Sequence, residues 1–171
     1  MLFTGSYRRA LDDKQRLPLP RPLRESDAAE VRLYLTPGLD GCLAVYPEQA
    51  FAALAERLAE SSPAARDVRD YSRLFFSQAA CVSPDRQWRV RVPPELCQWA
   101  GLAGEVMIVG VRDHLEIWAP ARWDEYVARC EPQYDQLAER ALVAPLAAGR
   151  PRAETAPQAA AAQLAPPTQP R

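Results

Sequence analysis

Two five-residue stretches carry the most suggestive chemistry in the chain. They are Asp12-Asp13-Lys14-Gln15-Arg16 and Asp85-Arg86-Gln87-Trp88-Arg89, each an aspartate followed four residues later by an arginine. In a strand-turn-strand, an aspartate at the first turn position accepts hydrogen bonds from backbone N–H groups ahead of it and organises a tight loop. Asp12 and Asp85 fit that organising role. An arginine near the turn's exit has two options: it reaches back to the carboxylate, or it projects its planar fork toward a phosphate or toward guanine O6 and N7. Spacing alone leaves both open. The recurrence of the pattern, beside Lys14 and Arg86, tilts the reading toward an anion-binding surface.

Other chemistries have less support. The four cysteines, Cys42, Cys81, Cys97 and Cys130, are scattered without a CxxC pair, and His114 is the sole histidine, so the thiols read as buried apolar groups rather than metal ligands. For acid–base work the best cases are the pair Asp12 and Asp13, and His114 near Asp113 and Glu116. Adjacent strand residues point to opposite faces, and no nucleophile accompanies either set. The expectation is a non-enzymatic protein with no catalytic residue, no metal, no cofactor and no small-molecule substrate. A net charge of −1 over 171 residues argues against a general nucleic-acid coat, but the charge is unevenly placed. Residues 7 to 24 carry Arg8, Arg9, Lys14, Arg16, Arg21 and Arg24 against Asp12 and Asp13, a second basic knot spans Asp85 to Arg91, and residues 48 to 60 are mostly acidic.

The elements that must position these loops are duplicated. A shift of 73 residues lays Phe3 on Phe76, Asp12 on Asp85, Arg16 on Arg89, Pro20 on Pro93 and Leu23 on Leu96; a shift of 72 then lays Gly38 on Gly110, Leu43 on Leu115, Val45 on Ile117, Tyr46 on Trp118 and Phe51 on Trp123. Each copy reads as an extended stretch, the D-x-x-x-R turn, a short strand, a proline-marked bend, two more strands and a helix. Strands are signalled by alternation in "VRLYL" and by the β-rich runs "VMIVGV" and "LEIW". Helices are signalled by the faces Phe51, Leu54, Ala55, Leu58 and Trp123, Tyr126, Val127, Cys130, whose aromatic stripes read as core. A helix over about Ala64 to Gln78 joins the halves through Val68, Tyr71 and Phe75, and "PPELCQWAGL" is a short helix closed by Gly101. The composition, 48% hydrophobic, is ample for a core, and no window approaches the length of apolar sequence that a membrane helix needs. A soluble, cytosolic protein is expected. The boundaries expected are 1–72 and 73–143 for the two units, followed by 144–171, an Ala/Pro/Gln-rich stretch that reads as a disordered tail.

The blocks "DDKQRLPLP", "TPGLDGCLAVYP", "GLAGEVMIVGVRDHLEIW" and the following W-x-x-Y helix together resemble the MraZ family of bacterial transcriptional regulators, over roughly residues 1 to 142. The resemblance implies an α+β, mainly β fold: two tandem AbrB-like (SpoVT/AbrB) swapped-hairpin β-barrel units in a pseudo-twofold arrangement with flanking helices. It implies a homo-oligomeric ring. It also implies binding to short G-rich direct repeats in the double-stranded promoter DNA of the division and cell-wall gene cluster, usually as a repressor, in the cytoplasm and at the nucleoid. Carried over by position, the DNA-facing residues are Lys14, Arg16, Arg86 and Arg89, with Asp12 and Asp85 as loop organisers.

The departures from the family pattern are specific. Where the family usually has glycine just before the arginine, this chain has Gln15 and Trp88. If that position needs φ > 0, each substitution costs on the order of 1 kcal/mol. Trp88 is expected to pack on its neighbours rather than stack on a base. Pro18 and Arg91 stand where an ordinary strand residue is expected, and Pro18 requires an edge or bulged position. These altered loops, the mild net acidity and the Ala/Pro tail motivate a second reading: a ring-forming interaction scaffold that has lost specific DNA binding.

Overall fold

The computed structural model describes residues 2–20, 31–62 and 64–143. The expected tail over 144–171 lies outside the described residues. Residues up to Pro132 form one compact unit, and a second begins at Gln133. In the second unit the described structure is the helix α5 (Tyr134–Val143).

The described residues of the first unit form eight strands: β1 (Ser6–Ala10), β2 (Arg16–Pro18), β3 (Leu33–Pro37), β4 (Leu43–Pro47), β5 (Ala80–Val82), β6 (Arg89–Arg91), β7 (Glu105–Val111) and β8 (His114–Trp118). Its helices are α1 (Glu48–Ala59), α2 (Arg66–Gln78), α3 (Pro94–Ala100) and α4 (Pro120–Cys130). The connecting helix therefore falls where its periodicity placed it. Short α3 ends as composition demands, with Gly101 at φ 63, a left-handed conformation that glycine adopts without a Cβ penalty.

Six strands make one antiparallel sheet in the order β1-β7-β8-β4-β3-β5, and β2 pairs with β6 as a separate ribbon. The order is symmetric under exchange of the repeats, which swaps β1 with β5, β7 with β3 and β8 with β4. Register places the pseudo-twofold axis. In the β4–β8 pairing Leu43 faces Ile117, Ala44 faces Glu116 and Val45 faces Leu115, so the positions related by the 72-residue shift sit symmetrically about Ala44 and Glu116. In the ribbon Arg16 faces Arg91, Leu17 faces Val90 and Pro18 faces Arg89, symmetric about Leu17 and Val90.

Each repeat gives its first strand to the other. β1 pairs with β7 of the second repeat, and β5 of the second pairs with β3 of the first. The swapped arrangement is thus present within one chain, but the sheet does not close into the expected barrel. Closure would need the end strands β1 and β5 to pair with each other; instead they are the two edges of the sheet among the described residues. The apolar face that a barrel would enclose is covered by the ribbon and α3. Leu33, Leu35, Leu43, Val45, Val106, Ile108, Leu115 and Ile117 from the sheet pack with Leu17 and Val90 from the ribbon and with Leu96, Cys97 and Ala100 from α3. The intervening residues of β7 and β8 face the other way: Met107 and Trp118 are buried there with Cys42 beneath Trp123 and Tyr126 of α4. Phe51 of α1 stacks on Tyr34 at 4.2 Å and on Phe75 of α2 at 6.0 Å. Both aromatic stripes are packing surfaces.

The thiols divide. Cys42 and Cys97 are buried and Cys130 is half-buried, but Cys81 is exposed, because β5 is an edge strand and Cys81 points away from the face that carries Ala80 and Val82 into the core. Burial pushes the Cys42 thiol up to about 12. No helix among the described residues is long and apolar enough to cross a membrane.

Candidate nucleic-acid interface

The two D-x-x-x-R loops share the same backbone hydrogen bonds. In the first, Asp12 Oδ1 accepts from the backbone N–H of Lys14 at 2.9 Å and of Arg16 at 2.8 Å. In the second, Asp85 Oδ1 accepts from Gln87 at 2.9 Å and Arg89 at 3.0 Å. The Gln15 and Trp88 N–H groups return to the Asp12 and Asp85 carbonyls at 2.9 and 2.8 Å, closing each turn. Each carboxylate thereby satisfies donors that a four-residue turn leaves over.

Between the two options open to the arginines, the geometry selects the carboxylate. Arg16 Nε donates to Asp12 Oδ2 at 2.6 Å, and Arg89 donates to Asp85 Oδ2 through Nε at 2.9 Å and Nη2 at 2.7 Å. A longer cross-repeat contact puts Arg89 Nη1 3.9 Å from Asp12 Oδ2. The Asp12 carboxyl is held below the usual range by the Arg16 backbone N–H first; burial opposes this, and the Arg16 side chain and the Lys14 N–H add to the lowering. For Asp85 the Arg89 side chain is the main cause of the same downward shift. The arginines are not sealed away: their side chains keep 32% and 24% of their exposure. Lys14 and Arg86 are exposed at the loop tips.

The glycine-position residues adopt the left-handed conformation, with Gln15 at φ 58 and Trp88 at φ 57. Their carbonyls lock the repeats together, Gln15 O accepting from Val92 N–H at 2.9 Å and Trp88 O from Leu19 N–H at 2.8 Å. Trp88 is partly buried against the core cluster, as its packing reading required.

Those two bonds also explain Pro18. They fix the hydrogen-bonded pairs of the ribbon as 15 with 92, 17 with 90 and 19 with 88, so the pairs 16–91 and 18–89 are the non-hydrogen-bonded ones. The proline occupies a position from which no N–H is required. The ribbon's inner face is Leu17 and Val90, both fully buried; its outer face is Arg16, Pro18, Arg89 and Arg91. Arg91 was legible only as an oddity in a strand. Its spacing of two from Arg89 across a buried valine is the signal that places it on the same face.

The polar cluster at His114 is a different matter. His114 Nδ1 lies 2.9 Å from Asp113 Oδ1 and Nε2 lies 3.7 Å from Glu116 Oε1, while Glu116 Oε2 accepts from Trp118 Nε1 at 3.0 Å. The ring stacks on Tyr46 at 4.7 Å. Burial works to lower its pKa, but the hydrogen bonds and charges of Glu116 and Asp113 outweigh that, and the net shift is upward. This cluster ties β8 to β4.

Fold and loops together define a class: a single-chain pseudo-dimer of two strand-swapped repeats that displays a pair of aspartate-braced arginine loops on one two-stranded ribbon. The family model described as "MraZ protein, putative antitoxin-like" matches twice, over residues 2–74 and 75–144. Among curated relatives, the transcriptional regulator MraZ of Parafrankia sp. is 41% identical over 141 residues, covering 82% of this chain and 97% of the relative. That of Moorella thermoacetica is 40% identical over 139 residues, covering 81% and 96%, and that of Lactobacillus delbrueckii subsp. bulgaricus is 38% identical over 138 residues, covering 81% and 95%. The chain belongs to the MraZ family.

Proposed function

We propose that this protein is a DNA-binding transcriptional regulator, acting as a repressor of a division and cell-wall gene cluster, whose two loops read short G-rich direct repeats in duplex DNA. The observation that carries this is the ribbon β2–β6, which sets Lys14, Arg16, Arg86 and Arg89 on loops at its two ends and on its outer face. A two-stranded ribbon fits the major groove of B-DNA, and an arginine fork pairs with guanine O6 and N7. Bracing by Asp12 and Asp85 orients the Arg16 and Arg89 forks before binding, which lowers the entropy cost of the contact. The name carried by the relatives, transcriptional regulator, supports the same reading.

One such module offers few contacts, so useful affinity requires several modules on one DNA. A homo-oligomeric ring reading tandem repeats supplies it through effective concentration. Exposed Leu39, Tyr71, Leu74 and Trp99 line a groove of about 380 Å³ and supply an apolar face for the neighbouring subunit. The repeats 1–72 and 73–143 are the two DNA-reading units, and the site of action is the cytoplasmic nucleoid.

The test is a titration of fluorescent duplex carrying the G-rich repeats from upstream of the chain's own operon, at several salt concentrations, against scrambled duplex. Tight, salt-sensitive binding to the repeats that Arg16→Ala with Arg89→Ala abolishes is the expected result. Absence of binding by the unaltered protein at low salt overturns the function in favour of a scaffold, and undiminished binding by the double variant overturns the residue assignment.

A further inference from the structure

The two loops are equivalent in backbone but unequal in charge. Under the 73-residue shift Asp13 stands on Arg86 and Lys14 on Gln87, so Asp12, Asp13, Lys14 and Arg16 of the first loop cancel, while Asp85, Arg86 and Arg89 of the second leave one positive charge. A first loop with no net charge is a poor phosphate binder. Arg91 changes this from the other repeat. It lies directly opposite Arg16 in the antiparallel register, on the outer face, at the end of the ribbon where the first loop turns. The next residue, Val92, donates its N–H to Gln15 of that same loop.

The pair 16–91 is a non-hydrogen-bonded one, the class in which facing side chains come closest, and like charges directly opposite one another are destabilising. Arg16 has Asp12 as its partner, whereas Arg91 is exposed and its side chain makes no hydrogen bond or ion pair among the described residues. The equivalent position in the first repeat is Pro18, which is uncharged, so the second loop faces no such addition. An arginine opposite an arginine, with no carboxylate of its own among the described residues, is placed to take an external anion.

We propose that Arg91 completes the first DNA-binding loop in trans: with Lys14 and Arg16 it forms a three-cation end of the ribbon that contacts DNA phosphate, restoring to the first loop the charge that Asp13 removes. The functional unit at that end therefore draws on both repeats. This inference rests on the DNA-binding reading above. It adds that the two ends of the ribbon contribute comparably to affinity, although their loop sequences do not.

The experiment is the same duplex titration from about 50 to 200 mM salt with full-length protein, Arg91→Ala, Asp13→Asn and the double variant. Loss of one phosphate contact lowers the slope of log K against log salt by about 0.9, so the weakening, alike for repeat and scrambled duplex, is about threefold to fourfold greater at about 50 mM than at about 200 mM salt. Asp13→Asn shifts affinity the other way, and the double variant returns to the unaltered value. Thermal unfolding provides a readout independent of DNA: Arg91→Ala leaves the melting temperature unchanged or raises it, because it relieves the repulsion with Arg16. An unchanged salt slope for Arg91→Ala, in protein that otherwise binds, overturns the inference and leaves the DNA-binding reading standing. A fall in melting temperature with an unchanged slope makes Arg91 a structural residue and overturns it too. Failure of the unaltered protein to bind any duplex removes the function proposed above, and this inference with it.

Discussion

Replacing Gln15 and Trp88 by glycine, one at a time, should move stability in opposite directions, although the two residues occupy equivalent positions with φ 58 and 57. For an L-residue the left-handed conformation costs about 1–2 kcal/mol, which glycine does not incur. Glycine gives back about 0.4–1 kcal/mol through the greater freedom of its unfolded chain, so the backbone gain is about 0.5 kcal/mol at either site. Gln15 is half-buried and its side chain is polar, so Gln15→Gly forfeits little apolar burial and should keep most of that gain. Trp88 packs on the core while partly exposed. If half of its roughly 200 Å² is buried, deleting it forfeits about 2.5 kcal/mol at 25 cal/mol per Å². The net expectations are about 0.5 kcal/mol of stabilisation for Gln15→Gly and about 2 kcal/mol of loss for Trp88→Gly. At about 2–4 °C per kcal/mol for a chain of this size, that is a rise of 1–2 °C and a fall of 4–8 °C. The assay is urea and thermal unfolding at fixed protomer concentration, since association adds to apparent stability. A gain from Trp88→Gly equal to that from Gln15→Gly would refute the reasoning, because it would show that the indole contributes nothing to the core. A loss of more than 1 kcal/mol from Gln15→Gly would show that the left-handed turn is not strained by its side chain.

Three further outcomes follow from the same structure. The raised pKa of His114 gives a stabilising contribution that is full below its ordinary value of 6.5 and is lost as pH rises through the folded value, whereas the depressed pKa of Asp113 gives one that is present above 3.8 and is lost as pH falls. The difference in urea midpoint between the unaltered protein and His114→Gln should therefore be greatest between pH 3.8 and 6.5 and shrink toward pH 9; a difference independent of pH would contradict the ion-pair account. Gly110→Ala should be severe, by about 2–3 kcal/mol, since its Cβ would lie 2.4 Å from Thr4 N and 2.7 Å from the Phe3 carbonyl carbon, which are backbone atoms of the paired N-terminal segment. Gly104→Ala, at φ 64 with nothing within 4 Å of the added carbon, should cost only the conformational strain of about 1–2 kcal/mol, and the ranking is checked by urea midpoints. Asp85→Asn should keep the turn, because an amide oxygen still accepts from Gln87 and Arg89, but should free the Arg89 fork; its destabilisation at pH 7, measured by urea midpoint, should fade as pH falls below the depressed pKa of Asp85.

Much of this protein is determined locally and is legible as sequence. The duplication shows in the 73- and 72-residue shifts because each repeat must rebuild the same turn and the same buried alternation. The turn itself shows because an aspartate carboxylate can satisfy the N–H groups two and four residues ahead with no help from elsewhere, as Asp12 and Asp85 do. The helices over 48–59, 66–78 and 94–100 follow from apolar periodicity and from prolines and a glycine at their ends. Pairing partners are another kind of fact. Nothing in "SYRRA" says that it joins the second repeat rather than its own, since a strand's hydrogen bonds are made to backbone that any sequence supplies. Only the assembled core decides it, by burying Leu17 against Val90 and leaving β1 and β5 as open edges instead of closing a barrel. The same holds for function. Sequence could place an arginine four residues after an aspartate; tertiary structure decided that Arg16 and Arg89 turn back to those carboxylates, that Pro18 sits where no N–H is needed, and that Arg91 faces the loop of the other repeat. Register across a pseudo-twofold axis joins residues 75 positions apart in the chain, and no local spacing encodes that distance.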